Sequence, residues 1–118
     1  MSEPKYPNAE ASVTLVMDAG GLVVEWSAAA EQLFGWPRAE AVGRRLSELI
    51  IPARHRAAHE AGLKQFLAGG PGALLNRAIK ISAIDRGSRE FEIEVRITAK
   101  KTSDGYQFAT SARRLDVS

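Results

Sequence analysis

The chain has 118 residues, enough for one domain that buries roughly two thirds of the surface its unfolded form exposes. Hydrophobic residues make up 45% and charged residues 25%, and no apolar run approaches the ~20 residues that span a bilayer. The net charge is only +2, without the basic stripe that nucleic-acid binding needs, so we expect neither a nucleic-acid nor a membrane partner. Residues 1–10 contain two prolines and no apolar stretch, which predicts no signal peptide and a cytoplasmic location.

The first predicted elements are two strands that form a hairpin. Residues 1–11 are expected to form an N-terminal arm or cap, and the domain is expected to cover residues 12–118. Val13, Leu15 and Met17 alternate with other side chains in the manner of a half-buried strand. The turn at residues 18–21 contains two glycines and leads into a second apolar strand, Leu22 to Trp26.

Helices fill the middle of the chain. Residues 28–34 are predicted to form a short helix, because Ser27 is a good N-cap and Gly35 can adopt the left-handed conformation that ends a helix. A second short helical turn is expected between Pro37 and Gly43, followed by a turn from Leu46 to Pro52. The longest helix is then predicted over about residues 53–68, and the glycines that follow it end it.

Three strands are predicted in the last third, at residues 75–84, 89–100 and 106–115. The middle strand alternates cleanly, which predicts one core face and one solvent face. Its core face carries Phe91, Ile93, Val95 and Ile97. Successive hairpins make antiparallel pairs, so the sequence predicts an α+β fold with a five-stranded antiparallel sheet and helices packed on one face.

The residues around the first helix resemble the signature of the PAS sensory domain. That signature is a strand, a polar cap, Ala-Ala-Glu-x-Leu-Phe-Gly, an aromatic residue and a Gly-Arg step. The matching positions are Ala29, Ala30, Glu31, Leu33, Phe34, Gly35, Trp36, Gly43 and Arg44. The C-terminal Asp116-Val117-Ser118 resembles the tag that connects PAS domains to a signalling helix, so the resemblance covers nearly the whole chain.

The resemblance implies a sensory, non-enzymatic module. Such a domain binds a small ligand or cofactor and passes a conformational signal to an effector, for example a histidine kinase of a two-component system, a cyclase or a transcription regulator. The alternative is a ligand-free scaffold that dimerises or docks a partner protein. We expect a homodimer that uses the N-terminal arm and the outer sheet face, where Ala78, Ala109 and Leu115 leave apolar surface.

One candidate ligand site lies on the long helix. It resembles the haem-binding oxygen-sensor PAS domains of rhizobial histidine kinases, in which the iron-bound histidine precedes an aromatic residue by seven positions. His59 stands in that relation to Phe66, and Arg77 resembles the arginine that stabilises bound oxygen. The resemblance therefore implies haem b, with His59 as the iron ligand. The apolar residues expected to line its pocket are Leu63, Phe66, Leu75, Val95 and Ile97.

Other interpretations of the same residues stay open. Gln65 stands where those haem domains have a propionate-binding arginine, so His59 is also interpretable as a packing residue, as a lone histidine usually is. A zinc-hydrolase motif would need Glu after His55, and Arg56 stands there. The chain has no cysteine, which excludes the flavin adduct of blue-light receptors, and few strand amides are present to line any flavin site. The ligand is thus unassigned by the sequence.

Overall fold

Five strands and four helices form the part of the chain that the computed structural model describes, residues 13–69, 75–103 and 105–115. They are β1 (Val13–Asp18), β2 (Val23–Trp26), α1 (Ala28–Phe34), α2 (Arg38–Ala41), α3 (Leu46–Ile50), α4 (Ala53–Leu67), β3 (Ala78–Ile84), β4 (Glu90–Thr102) and β5 (Gly105–Arg114). The expected N-terminal arm and the C-terminal tag at residues 116–118 lie outside the described residues. None of these helices is long and apolar enough to cross a bilayer.

The strands form one antiparallel sheet in the order β2-β1-β5-β4-β3. The last strand lies in the centre, where Val95 and Ala112 are paired neighbours on the inner face. The inner face carries Leu15, Ile93 and Phe108, and these side chains join those of the helices in one core. The predicted α+β fold, with a five-stranded antiparallel sheet and helices packed on one face, is confirmed.

The first half of the chain is tightly packed. Phe34 is completely buried, and its ring lies 5.6 Å from that of Trp26 and 6.2 Å from that of Phe91. Both tryptophans are fixed by hydrogen bonds, since Trp26 Nε1 donates to the carbonyl oxygen of Trp36 at 2.9 Å and Trp36 Nε1 donates to that of Leu49 at 3.2 Å. These contacts join α1, β2 and α3 into a rigid unit.

The boundaries of α1 follow from local chemistry. The Ser27 hydroxyl accepts a hydrogen bond from the backbone N–H of Ala30 at 3.1 Å, and a second from that of Thr14 at 3.1 Å. Gly35 ends the helix at φ 80°, and its N–H donates to the carbonyl of Glu31. The predicted helix and both of its caps are confirmed, and the serine additionally ties α1 to β1.

Two segments differ from the expectation. Residues 46–50 form a helix, α3, where the sequence predicts only a turn. The third strand begins at Ala78 instead of Leu75, because Asn76 adopts a left-handed φ of 62° that interrupts the extended backbone. Leu75 makes only an isolated bridge to Ile97, and Arg77 is exposed ahead of the strand. The alternation of β3 therefore cannot be extended back to residue 75.

Candidate functional site

A cavity of about 290 Å³ lies between α4, the β1–β2 turn and the start of α3. Three elements that are distant in sequence supply its walls. The lining residues are Ala19, Gly20, Gly21, Arg45, Ser47, His59, Glu60, Leu63, Lys64 and Leu67. Its volume is at the lower end of the ~300–1,000 Å³ that is usual for small-molecule sites, so the cavity suits a small ligand.

Helix α4 forms the longest wall, and it is loosely packed. None of its fifteen residues is fully buried, although His59, Leu63 and Phe66 turn towards the interior and are half-buried. Its first turns are fixed, because Arg56 Nε donates to the carbonyl oxygens of Ser47 and Ile51, each at 2.9 Å. Arg56 therefore anchors the helix near its start, and the half-buried side chains hold the rest of it by partial contacts.

The opposite wall is the β1–β2 turn. The carboxylate of Asp18 accepts hydrogen bonds from the N–H groups of Gly20 and Leu22, at 2.9 and 3.0 Å, which fixes the shape of the turn. Gly21 has a φ of 85°, and a Cβ placed on it would lie 3.7 Å from Leu63 Cδ2. The turn thus lies close to α4, and its small residues leave the space that the cavity occupies.

Charged groups line the remaining wall of the cavity. Ser47 is almost completely buried, and its hydroxyl donates to Glu60 Oε2 at 2.7 Å. Arg45 Nη1 lies 3.9 Å from the same carboxylate oxygen and 3.4 Å from the carbonyl oxygen of Gly20, both long contacts. Lys64 is exposed and makes no ion pair with any residue that the structure describes. This wall of the cavity therefore combines one acidic group with two basic groups.

His59 is the titratable side chain of the α4 wall that is shielded from water. Its Nδ1 atom is buried without a hydrogen-bond partner in the described part of the chain. Burial lowers the pKa of His59 below its ordinary value, and the nearby Glu60 carboxylate only partly opposes this. The imidazole is therefore neutral at pH 7.

The residues predicted for a ligand site are only partly brought together. His59 and Leu63 line the cavity. Phe66 instead packs edge-on against Tyr106 and Phe108 of β5, with ring centres 5.2 and 5.6 Å apart. The others lie outside the cavity lining: Val95 is in the core, Leu75 and Ile97 pair beside β3, and Arg77 is exposed.

Sequence reasoning missed the polar half of the lining. On α4 the signal was present, since Glu60 and Lys64 flank His59 and Leu63 at helical spacing. The contributions of Arg45, Ser47 and the β1–β2 turn depend on how α4 meets the first hairpin, which no local pattern encodes.

A second concave surface, of about 700 Å³, lies on the outer face of the sheet. Thr14 and Val16 of β1, Thr98 of β4 and Ala109 of β5 form its floor, and Arg38 and Arg96 lie at its sides. Ala78, one of the residues expected at a dimer surface, is exposed on β3 opposite Arg96. In the described residues no three His, Cys, Asp or Glu side chains are grouped as a metal site would require.

The family follows from a comparison with known sequences. A family model described as the PAS fold matches residues 8–108 of the chain. The chain belongs to the PAS family. The expectation drawn from the residues around α1 is thereby confirmed, and this PAS domain is a member of a family of sensory and signalling modules.

Its relatives are diverse. An uncharacterized protein of Azorhizobium caulinodans is 29% identical over 99 residues, which are 84% of this chain and 14% of that protein. A PAS domain from Desulfitobacterium hafniense superposes with a TM-score of 0.71 at 14% identity, over 88% of this chain and 92% of that one. The PAS domain of the Cronobacter turicensis quorum-sensing receptor RpfR, in complex with C12:0, gives 0.70 at 14% identity, over 95% and 98%. These structures share the fold.

The residues of this PAS domain fit haem poorly. The cavity that His59 lines is small for a macrocycle, and Arg77, the expected oxygen-stabilising residue, is exposed outside its lining. An iron-bound histidine normally donates its second ring N–H to a protein group that orients it, whereas Nδ1 of His59 has no such partner among the described residues. The geometry therefore favours a smaller ligand over haem b.

Proposed function

We propose that this PAS domain is a sensory module in which a small ligand occupies the cavity under α4 and changes how that helix packs on the sheet. The observation that carries the proposal is the cavity itself, together with an adjoining helix that has no fully buried residue. A helix held by partly buried contacts can shift at a smaller free-energy cost than one whose side chains are locked in the core.

The ligand would act on one packing equilibrium. The apolar surface of Leu63 and Leu67 is left incompletely covered, and Leu67 is 40% exposed. A ligand that covers this surface shifts the packing equilibrium towards the helix position that it binds more tightly. The size of the shift is set by the difference between its affinities for the two positions. The solved RpfR PAS domain in complex with C12:0 supports a ligand-binding role for this fold, without identifying the ligand here.

The signal would leave the cavity through Phe66. This residue lies on α4 one turn beyond Leu63, and its ring contacts Tyr106 and Phe108 on β5. A shift or rotation of α4 therefore changes the packing against the central strand of the sheet. β5 then runs towards the C-terminal residues, where the PAS family connects to effectors.

The effector is proposed on family grounds. The chain spans about 14% of the length of the Azorhizobium caulinodans relative, so a PAS domain of this kind can form part of a longer protein. We propose that its output is a histidine kinase, a cyclase or a transcription regulator, and that the sensing reaction involves no chemistry on the ligand.

Native mass spectrometry combined with a cavity-filling variant tests the sensory proposal. We expect freshly purified protein to carry a small molecule that is released on denaturation. Leu63→Trp should lose it, because the indole occupies the space beside Gly21. Ala57→Trp is the matched control, since Ala57 is exposed on the same helix and should leave binding intact.

Two outcomes would contradict the proposal. One is a wild-type protein without any bound small molecule, whose cavity amides also show no change in an NMR spectrum when an extract of small metabolites is added. The other is a bound molecule that Leu63→Trp retains although the variant is folded, which would place the ligand elsewhere.

The second candidate function is a ligand-free homodimeric scaffold, and the concave outer sheet face favours it. Val16 and Ala109 are paired neighbours there and form an uncharged strip that a second copy could cover. The same mass spectra report the number of subunits. If the scaffold proposal holds, wild type is dimeric without ligand and Ala109→Arg is monomeric, whereas Leu63→Trp stays dimeric.

A further inference from the structure

The cavity under α4 has an apolar side and a charged side. Leu63 and Leu67 supply most of the apolar side together with Ala19 of the turn. Arg45, Glu60 and Lys64 supply the charges. A ligand that matches both sides has an aliphatic body and one polar or charged head group.

The charged groups differ in how far the protein already satisfies them. Glu60 accepts a short hydrogen bond of 2.7 Å from the buried hydroxyl of Ser47. The two contacts of Arg45 Nη1, at 3.9 Å to Glu60 and 3.4 Å to Gly20, are at the long limit for an ion pair and a hydrogen bond. Lys64 pairs with no carboxylate in the described part of the chain. The unsatisfied charge in the lining is therefore positive.

We propose that the ligand of this cavity is a small aliphatic carboxylate, whose chain lies against Leu63 and Leu67 and whose head group pairs with Arg45 and Lys64. This inference rests on the proposed function, because it assigns the chemical class of the guest at the same site. A carboxylate can accept hydrogen bonds from both cations, and such charge-assisted bonds are about twice as strong as neutral ones.

The volume limits the length of the chain. At the ~30 Å³ that each water-sized group occupies in a liquid, a cavity of about 290 Å³ holds about ten such groups. A six-carbon acid, with about eight non-hydrogen atoms, fits within that limit. Hexanoate is therefore a suitable probe.

Other head groups fit less well. Among the described lining residues, an alkylammonium ion would meet two like charges, Arg45 and Lys64, and one opposite charge, Glu60. An alcohol can occupy the apolar side but leaves Lys64 without a counter-charge. The order of affinity should be carboxylate, then alcohol, then amine.

An NMR titration of the ¹⁵N-labelled chain with hexanoate, hexanol and hexylamine tests this order. We expect hexanoate to bind about tenfold or more tightly than hexanol, which corresponds to one or two charge-assisted hydrogen bonds. Its largest amide shifts should lie at the β1–β2 turn and on α4 around Leu63. Added NaCl should weaken the binding of hexanoate but leave that of hexanol nearly unchanged.

Two charge variants identify the head-group contacts. Lys64→Gln and Arg45→Gln should each reduce the affinity for hexanoate towards that for hexanol without changing the affinity for hexanol. Lys100→Gln is the control, since Lys100 is exposed on β4 and is not part of the cavity lining. It should bind all three probes as the wild type does.

The outcomes separate this inference from the proposed function. Hexanol or hexylamine binding at the cavity as tightly as hexanoate would overturn the carboxylate assignment and leave the cavity as a ligand site. Hexanoate binding that is unchanged in both charge variants would also overturn the assignment. If none of the probes shifts a cavity amide, and the native mass spectrum shows no bound molecule, both proposals fall.

Discussion

The region around α1 is closely packed, whereas the region around α4 is loosely packed. Around α1, Phe34, Leu15 and Leu49 are each no more than 2% exposed, and hydrogen bonds fix both tryptophans and the start of the helix. Around α4, no residue of a fifteen-residue helix is fully buried, and a cavity lies beneath it. The same sheet supports both.

This contrast in packing indicates that the α1 region stabilises the fold and that the α4 region can respond to a ligand. Close packing in the α1 region holds the fold in one state, because any rearrangement there would leave cavities and unpaired polar groups. The α4 region can rearrange at lower cost because its side chains are only partly buried, and polar contacts to Ser47 and Ile51 hold its first half. We infer that the sensory response is confined to α4 and to the β5 residues it contacts.

Two phenylalanine truncations test the contrast most strongly. Phe34→Ala removes a completely buried ring that contacts Trp26 and Phe91, so we expect the free energy of unfolding to fall by about 3–5 kcal/mol. Phe66→Ala removes a half-buried ring and should cost only about 1–2 kcal/mol. Urea denaturation followed by tryptophan fluorescence measures both.

Equal losses in the two variants would contradict the division into a tight and a loose region. If the contrast holds, Phe66→Ala should have the smaller effect on stability but the larger effect on the transmission of the signal. Phe66→Ala should keep the ligand in native mass spectra while weakening the coupling between the cavity and β5, which is visible as smaller ligand-induced NMR shifts at Tyr106 and Phe108.

The α1 region could be read from sequence because its determinants are local. Ser27 and Gly35 mark the ends of the helix by hydrogen bonding and by backbone conformation, both of which act within a few residues. The alternation of β4 likewise identifies its core face, and Ile93 and Val95 are buried as expected. Local signals of this kind also support the family assignment.

The cavity could not be read in the same way. His59 and Leu63 are expected at a ligand site because of the resemblance to haem-binding PAS domains, but the position of that site depends on how α4 meets the β1–β2 turn. The position of Arg77 shows that side-chain alternation predicts the face of a residue only while the backbone stays extended. A single left-handed residue, Asn76, ends the extended backbone and leaves the arginine exposed.

Loss of the N-cap of α1 should have an effect of intermediate size on stability, and it tests the closely packed region around that helix. Ser27→Ala removes the acceptor for the N–H groups of Ala30 and Thr14, so we expect a loss of about 1–2 kcal/mol in the free energy of unfolding. Ser27→Asn supplies another capping oxygen and should stay within about 0.5 kcal/mol of wild type. Alanine and asparagine variants of equal stability in urea would show that the cap contributes little.

The smallest expected effect is the pH dependence that His59 confers on the loose region. Burial lowers its pKa in the folded state, whereas the unfolded chain titrates near the ordinary value of 6.5. Below that value the unfolded state binds more protons than the folded state, so the contribution of His59 to stability is complete above it and is lost as the pH falls. The charged groups that share the cavity with it are Arg45, Glu60 and Lys64.

Urea denaturation between pH 7 and 5 should therefore show a falling stability in the wild type and a flatter profile in His59→Phe. Carboxylates with a lowered pKa lose their contribution mainly below pH 5, since Glu90, whose folded pKa is lowered by the hydrogen bond from Arg54, titrates in the unfolded chain near its ordinary 4.5. Ala57→Phe is the matched control, because Ala57 is exposed on the same helix and carries no titratable group, and it should keep the wild-type slope. If His59→Phe kept the wild-type dependence of stability on pH, His59 would not be enclosed in the folded protein. Water would then reach α4 even without a ligand.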